Sequence, residues 1–244
     1  MKRLLVSLAL SLAACSAAPA FMPAPRLITP RIDDNGPCAG SVIQLKHAQL
    51  YSDQNNAWSL IAEATNMRVD NFEIVMVCIT ASLKDGSQTS EQQFIGAGLR
   101  SYETLPFRLL LRNNLSQAER VTIAAQPFPS ASTQPAPASA ATSRRDFVYS
   151  IAQIDGNVHS PQRIAGWLRN NELQPMANVH LIIGLYDSNG SLVGVANGIA
   201  ADIAPIAPGG VVSFTATTNM LLAPIAQASV LIEGEPAQET VRKP

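Results

Sequence analysis

Residues 177–195, with the sequence ANVHLIIGLYDSNGSLVGV, decide the fold. Apolar side chains dominate both arms of this stretch, and Asp187, Asn189 and Gly190 provide turn chemistry between the arms. Two apolar runs separated by such a turn are typical of antiparallel strands joined by a tight connection. We therefore expect a β-hairpin here, with these three residues at its tip.

A fainter copy of this pattern lies upstream. Residues 72–86, FEIVMVCITASLKDG, show the same order of events, with Asp85 and Gly86 at the turn. Asp85 precedes Asp187 by 102 residues. The sequence therefore predicts one β unit used twice, with a second hairpin turn at Asp85 and Gly86.

Composition restricts the class of protein. A chain of 244 residues has room for two domains of about 100 residues, and each could bury a core. Only 14% of the residues are charged and the formal net charge is −1, so we expect no nucleic-acid partner. The 17 prolines and 14 glycines suit short strands and turns better than long helices.

The amino terminus has the features of a signal peptide. Lys2 and Arg3 precede an apolar run, Leu4 to Ala14, that is too short to cross a bilayer. The following residues, LAAC at 12–15, resemble a bacterial lipobox. That resemblance implies cleavage after residue 14, acylation of Cys15 and attachment to a membrane of the cell envelope. The alternative is ordinary cleavage after the Ala-Pro-Ala at 18–20, with Cys15 unmodified.

Two further cysteines remain once Cys15 is assigned to lipid. In an oxidising compartment, Cys38 and Cys78 are a plausible disulfide pair. A bridge would close a loop of about forty residues, worth roughly 3 to 4 kcal/mol in the chain-entropy model. The alternative is a buried free Cys78 and an exposed Cys38.

The remaining chain divides by composition. We expect an irregular tether over residues 15–40, a first β-sandwich over 41–128, a second over 147–236 and a tail over 237–244. Residues 129–146 are rich in Pro, Ala and Ser, so they predict a flexible linker that leaves the domain orientation loosely fixed. Six or seven short strands per domain indicate an all-β fold of two tandem immunoglobulin-like antiparallel sandwiches.

The second domain is similar to the FxLYD domain, an immunoglobulin-like module of bacterial and archaeal surface proteins. The residues that carry the resemblance are Gly166, Asn170, Leu185, Tyr186, Asp187, Gly190, Pro208, Gly209 and Phe214. The first domain keeps fewer of them, namely Asn66, Leu83, Asp85, Gly86 and Phe107. The resemblance implies a fold and a surface location, and it implies no particular activity.

Candidate sites for chemistry are few. The turns at Asp85 and Asp187 begin like calcium loops, but neither is followed by the acidic residue that closes such a loop. His47, His159 and His180 lie on or beside predicted strands without ligand spacing, so we expect no metal site and no cofactor.

Catalytic motifs are absent from the sequence, which has no nucleophile elbow, zinc-protease pair or phosphate loop. We therefore expect a protein that is not an enzyme. Trp58, Trp167 and Tyr186 are predicted to pack in the cores or at strand edges, and the alternative is a hot spot for a partner.

The function expected from the sequence is that of a non-catalytic lipoprotein of the cell envelope. It would serve as a spacer, adhesion or assembly module that meets an envelope protein or a surface polymer, on the outer membrane or on the surface or periplasmic side. The alternative is a periplasmic or surface protein that binds a small ligand or a glycan.

Overall fold

The computed structural model describes residues 25–34, 38, 42–128, 143–200 and 204–237. Every regular element among them is a β-strand, so the described part of the chain holds no helix that could cross a membrane. This confirms the all-β class and the sandwich-like arrangement of antiparallel sheets. Cys15 and the predicted signal peptide lie outside the described residues.

Fifteen strands make up the described fold, numbered in chain order. They are β1 (Leu27–Ile28), β2 (Arg31–Ile32), β3 (Ile43–Ser52), β4 (Trp58–Asn66), β5 (Val75–Leu83), β6 (Gln88–Ile95), β7 (Thr104–Leu110), β8 (Ala118–Pro127), β9 (Ser143–Arg144), β10 (Phe147–Asp155), β11 (Gln162–Asn170), β12 (Met176–Tyr186), β13 (Leu192–Ala200), β14 (Val211–Thr218) and β15 (Gln227–Pro236).

The first sandwich, residues 27–127, contains two four-stranded sheets with the orders β1-β3-β4-β7 and β2-β8-β5-β6. All pairings are antiparallel except that of β2 with β8. Alternate residues of β5, namely Val75, Val77, Ile79 and Ala81, point into the core between the sheets. This period of two is what a sheet with one buried face requires.

The second sandwich, residues 143–236, is one seven-stranded sheet with the order β10-β11-β14-β13-β12-β15-β9. Strands β10, β11 and β14 correspond to β3, β4 and β7, and β12, β13 and β15 correspond to β5, β6 and β8. The halves differ because β13 is hydrogen-bonded to β14 and thereby joins what are two separate sheets in the first sandwich. Leu181, Ile183 and Leu185 alternate into the core.

The hairpin turn between β12 and β13 is held by an aspartate side chain. Asp187 Oδ1 accepts hydrogen bonds from the backbone N–H groups of Asn189 and Ser191, both at 2.9 Å. Gly190 follows with φ of 76°, a left-handed conformation that glycine adopts without steric cost. The turn is therefore formed by the residues that the sequence predicts at this place, Asp187, Asn189 and Gly190.

The turn between β5 and β6 repeats this chemistry in a shorter loop. Asp85 Oδ1 accepts hydrogen bonds from the backbone N–H of Ser87 at 2.9 Å and from its hydroxyl at 2.6 Å. These bonds to the ionised form lower the pKa of Asp85. Gly86 has φ of 81° and completes the turn.

Two buried asparagines mark equivalent points in the two sandwiches. Asn66 and Asn170 end β4 and β11, and both are fully buried. Each side-chain oxygen accepts the backbone N–H two residues later, and each amide donates to the carbonyl four residues later. A second carbonyl, of Leu99 or of Ile206, completes the set. The asparagines thus satisfy backbone groups that the end of the strand leaves unpaired.

The predicted disulfide is confirmed. Cys38 and Cys78 are bonded, with Cα atoms 6.1 Å apart and a sequence separation of 40. Cys78 lies on β5, which has β6 on one side and β8 on the other. The bridge therefore fastens the segment before β3 to the middle of a sheet.

Two segments expected to be irregular contain short strands. The tether predicted over residues 15–40 includes β1 and β2, whose Ile28 and Ile32 pack against the first core. The linker predicted over 129–146 includes β9, which pairs with β15. Each of these short strands pairs with a strand that is distant in the sequence, which local composition does not reveal.

Candidate functional site

The two sandwiches pack against each other face to face. Ile61 on β4 and Tyr51 on β3 are buried among core residues of the second sandwich, while Ile182 and Leu231 pack against the first. Every residue of β4 except Thr65 is buried, because its inner face meets its own core and its outer face meets the second sandwich. The sequence predicts a loosely fixed orientation, and the structure instead has a packed contact.

A close approach in this contact occurs at a glycine. A Cβ atom placed on Gly184 would lie 2.8 Å from the Tyr186 hydroxyl and 3.0 Å from Cγ of Pro106. Real side chains almost never come so close, so any larger residue at position 184 pushes against β7. Gly184 therefore sets how near the two sheets lie.

A polar network crosses the contact beside this glycine. The Tyr186 hydroxyl donates a hydrogen bond of 2.6 Å to Oε1 of Glu63, while Nδ1 of His47 lies 2.8 Å from Oε2. Glu63 is buried. Burial and the bond to Glu63 raise the pKa of Tyr186 to about 12, so the tyrosine remains a donor at neutral pH. The hydrogen bond from Tyr186 to Glu63 therefore joins the two sandwiches in addition to their packing.

A cleft of about 590 Å³ opens at the edge of the same contact. Residues of β7 form one wall, and β12, β13 and β15 form the other. Arg108 lies on the first wall, with His180 and Glu235 on the second, and Nδ2 of Asn178 donates to Oε2 of Glu235 at 3.3 Å. The cleft can offer a small polar ligand a cation on one side and a carboxylate on the other.

The outer face of the second sandwich carries a set of exposed apolar side chains, with polar residues such as Arg169 and Ser213 between them. We call it the Trp167 face; it consists of Val148, Trp167, Ile199 and Val211, which lie on four strands and are all exposed. Trp167 itself is 41% exposed. Large exposed aromatic side chains among aliphatic ones are common in protein contact surfaces.

The Trp167 face corresponds to the face that the first sandwich buries. Phe147 pairs with Asn170 as Ile43 pairs with Asn66, so β11 and β4 match at an offset of 104 residues. Trp167 thus occupies the position of Glu63. The same surface of the repeated unit is covered in one copy and uncovered in the other.

The aromatic residues and histidines that the sequence analysis names as candidates lie in different parts of the structure. Trp58 is buried in the first core, Tyr186 lies in the contact between sandwiches, and Trp167 is on the exposed face. His159 lies in the loop before β11 and His180 lines the cleft. Across the described ranges, no three His, Cys, Asp or Glu side chains are grouped so that they could hold a metal ion.

Glu63 is the functional residue that sequence reasoning missed. Its signal is a single acidic residue within the otherwise uncharged strand WSLIAEATN, residues 58–66. A charge inside an apolar strand indicates a specific buried partner. The partner, Tyr186, is 123 residues away and could not be identified from local pattern.

Comparison with known proteins adds little. No family model matches the chain, and no curated protein matches it. Among solved structures it is similar to red sea bream transglutaminase, with 10% identity and a TM-score of 0.23. The match covers 79% of this chain and 29% of that one, and a similarity this low carries no argument.

Proposed function

We propose that this chain is a non-catalytic lipoprotein of the cell envelope, anchored through Cys15, that serves as an assembly module with two FxLYD-like domains. The Trp167 face is its contact with a partner protein of the envelope. The observation that supports this is that the equivalent face of the first sandwich is already buried in a protein contact.

The existing contact indicates what the partner would offer. In that contact, a face of β4 and β7 meets a sheet surface on which Gly184 permits close approach. The Trp167 face has the same strand geometry with a larger, more apolar residue at its centre. It fits a flat sheet surface bearing small residues that can accept an indole ring. Buried Trp side chains are frequent hot spots at such surfaces.

Two packed sandwiches also suit the role of a spacer. Because Tyr186 and Glu63 join the halves across a packed contact, the second sandwich is held at a fixed place relative to the first. The Trp167 face is then presented in one direction relative to the first sandwich. A flexibly joined pair would present it in all directions.

The experiment is crosslinking in cells with the full-length protein, followed by purification under denaturing conditions and mass spectrometry. We expect one dominant partner that is lost in Cys15→Ala and is reduced about tenfold or more in Trp167→Glu, since a central hot spot contributes about 2 kcal/mol or more. Leu173→Glu is the matched control because Leu173 is 99% exposed on the same sandwich, in the loop between β11 and β12 and outside the strands that form this face. An unchanged partner in Trp167→Glu would contradict the proposal.

The cleft favours a second function, the binding of a small zwitterionic or polar ligand between Arg108 and Glu235. A thermal-shift screen of amino acids, short peptides and sugars on the intact chain tests it. A true ligand raises the unfolding temperature, and Arg108→Ala abolishes the rise. No shift with any compound class would remove this candidate.

A further inference from the structure

One position on the core side of the sheets is covered in the first sandwich and uncovered in the second. Leu50 on β3 pairs with Leu60, and Ile154 on β10 pairs with Ile164 at the same offset of 104 residues. Directly paired residues share a face of the sheet, and both partners are fully buried core residues. Leu50 and Ile154 are therefore equivalent, yet Leu50 is 0% exposed and Ile154 is 39% exposed.

In the first sandwich, residues 27–32 cover this position. β1 pairs with β3 at Leu50, and β2 pairs with β8, so one extended segment contacts both sheets. Burial alternates along the segment: Ile28, Pro30 and Ile32 are at least partly buried, and the residues between them are exposed. The edge of this sandwich is thus closed by a segment with apolar residues at alternate positions.

In the second sandwich, the equivalent place is a groove of about 550 Å³ between the second half of β10 and the start of β15. A volume of this size is typical of ligand pockets. None of the residues that line the groove is charged. Its larger apolar side chains are those of Ile151, Ile154, Val158, Leu221, Pro224 and Ile225.

Both strands beside the groove have an unpaired edge. Within the described residues, β10 pairs only with β11, and β15 pairs only with β12 between Gln227 and Ile232. β9 pairs with β15 further along, at Glu233 and Gly234. An unpaired edge offers its backbone N–H and C=O groups to an incoming strand. The groove therefore combines apolar side chains with the backbone groups of two strand edges.

The edge of β10 lacks the features that protect the other sheet edges in the described part of the chain. β1, β2 and β9 have two residues each, and β7 contains Pro106. β6 contains Glu91, whose carboxylate accepts the backbone N–H of Arg112 after β7. Short strands, prolines and charges all hinder the addition of another strand. From Phe147 to Ile154, β10 has neither a proline nor a charge.

We propose that this groove binds an extended segment of a second protein, with apolar side chains at alternate positions, as residues 27–32 close the first sandwich. The segment lies between β10 and β15 and places its apolar side chains against Ile154 and Ile225. In strand addition of this kind, main-chain hydrogen bonds supply affinity and side-chain pockets supply specificity. This contact is separate from the Trp167 face and goes beyond the function proposed above.

A free extended segment fits the groove better than the edge of another folded sheet. In the first sandwich, β1 and β2 lie at the ends of two different sheets, and so the one segment covers both. β10 of a second copy is already paired with β11, so it could pair with β10 here but would leave β15 uncovered.

The uncharged lining also restricts the sequence of the segment. Its inward positions must be apolar, since a buried charge without a partner is costly. Its outward positions can carry charge, as the exposed Arg31 does in the first sandwich.

The test is photocrosslinking of the full-length protein in cells, with benzoylphenylalanine in place of Val158, a groove residue that is 37% exposed. We expect crosslinks to one segment of another protein, in which peptide mapping shows apolar residues at alternate positions. The same probe in place of Leu173, which does not line the groove, controls for non-specific capture. Crosslinks to a second copy, within the same chain or to many proteins without a common segment would overturn the proposal, as would the absence of crosslinks.

A synthetic copy of the captured segment then tests the groove on the purified full chain. Fluorescence anisotropy measures its binding, which Ile154→Arg and Ile225→Arg should each weaken about tenfold, the effect of losing one buried aliphatic contact. Val148→Arg is the matched control, because Val148 lies on the same strand as Ile154 with the same exposed fraction, 39%, but on the Trp167 face. Circular dichroism of the three variants checks the fold. Equal weakening by the groove variants and the control would contradict the assignment.

The two proposals fail separately in these experiments. Binding of the synthetic peptide is measured on the purified chain alone, so it does not depend on a partner at the Trp167 face. Loss of that partner would leave the groove result unchanged, and loss of peptide binding would leave the effect of Trp167→Glu in cells unchanged.

Discussion

The two sandwiches share one strand plan but use the outer face of one sheet in opposite ways. In the first sandwich, the outer face of β4 is buried against the second sandwich, and Glu63 at its centre accepts the Tyr186 hydroxyl. In the second, the outer face of β11 is exposed and Trp167 occupies the position of Glu63. The inner faces of both sheets pack in a core. The two copies of the repeated unit therefore differ in what their outer faces contact.

The disulfide provides the largest expected difference between the halves. Replacing Cys38 and Cys78 by Ser together should lower the free energy of unfolding of the first sandwich by about 4 kcal/mol, since the bridge closes a loop of 40 residues. Denaturant unfolding followed by hydrogen exchange for each half measures this. An equal loss in the second sandwich would show that the halves unfold as one unit.

The two buried asparagines test whether the two sandwiches share the same arrangement of strands. Asn66→Ala and Asn170→Ala should each cost about 3 kcal/mol, because each leaves several buried backbone groups without a partner. Thermal and chemical unfolding of the two variants gives the comparison. If one substitution were neutral, the equivalence of the two strand ends would be wrong.

The contact between the sandwiches is probed by Gly184→Ala. The added methyl group meets Pro106 and the Tyr186 hydroxyl at 3.0 Å or less, so we expect a cost of about 2 kcal/mol and a looser contact. Small-angle X-ray scattering of the full chain should show a larger radius of gyration. Gly190→Ala is the contrast, since its cost arises from the positive φ of a turn and it should leave the radius unchanged.

Removal of the tyrosine hydroxyl should have a smaller effect. Tyr186→Phe is expected to cost about 1 to 2 kcal/mol at neutral pH, because Glu63 loses a hydrogen bond while buried. The control is Tyr149→Phe on the exposed part of β10, which should be neutral. A neutral Tyr186→Phe would mean that packing alone joins the sandwiches.

The same tyrosine predicts how stability depends on pH. Its pKa in the folded protein is about 12, above the ordinary value of 10, so its contribution is fully present below pH 10 and is lost as the pH rises towards 12. The pKa of Tyr51 is also raised by burial, so it acts in the same direction. Alkaline unfolding curves of the unmodified chain and of Tyr186→Phe should therefore converge between pH 10 and 12. Parallel curves throughout that window would contradict the assignment.

The smallest expected effect on stability is that of Trp167→Ser. Because Trp167 lies outside both cores, we expect a change within about 0.5 kcal/mol. Chemical unfolding measures it. A loss of several kcal/mol would indicate that the indole supports the fold and not a contact.

Much of the fold could be predicted because its signals come from residues that are close together in the sequence. Asp187 and Gly190 mark a turn by their chemistry, and alternation in the flanking strands marks the buried faces. The disulfide was predictable because only one pair remained after Cys15 was assigned to lipid. These features need no knowledge of distant residues.

The contact between sandwiches could not be predicted in the same way. Glu63 and Tyr186 are 123 residues apart, and nothing near either one identifies the other. Strands β1 and β2 have two residues each and owe their order to pairing with β3 and β8. The exposure of Trp167 follows from which faces meet, which is a property of the assembled sheets and not of the sequence around it.

Oxidative footprinting tests the central claim, that the face buried in the first sandwich is the contact surface of the second. The purified full chain and intact cells would be exposed to hydroxyl radicals, with Leu173 as the exposed reference and Trp58 as the buried one. We predict that Trp167 is readily oxidised in the purified protein and protected in cells, relative to Leu173. Equal oxidation of Trp167 in both would contradict the claim.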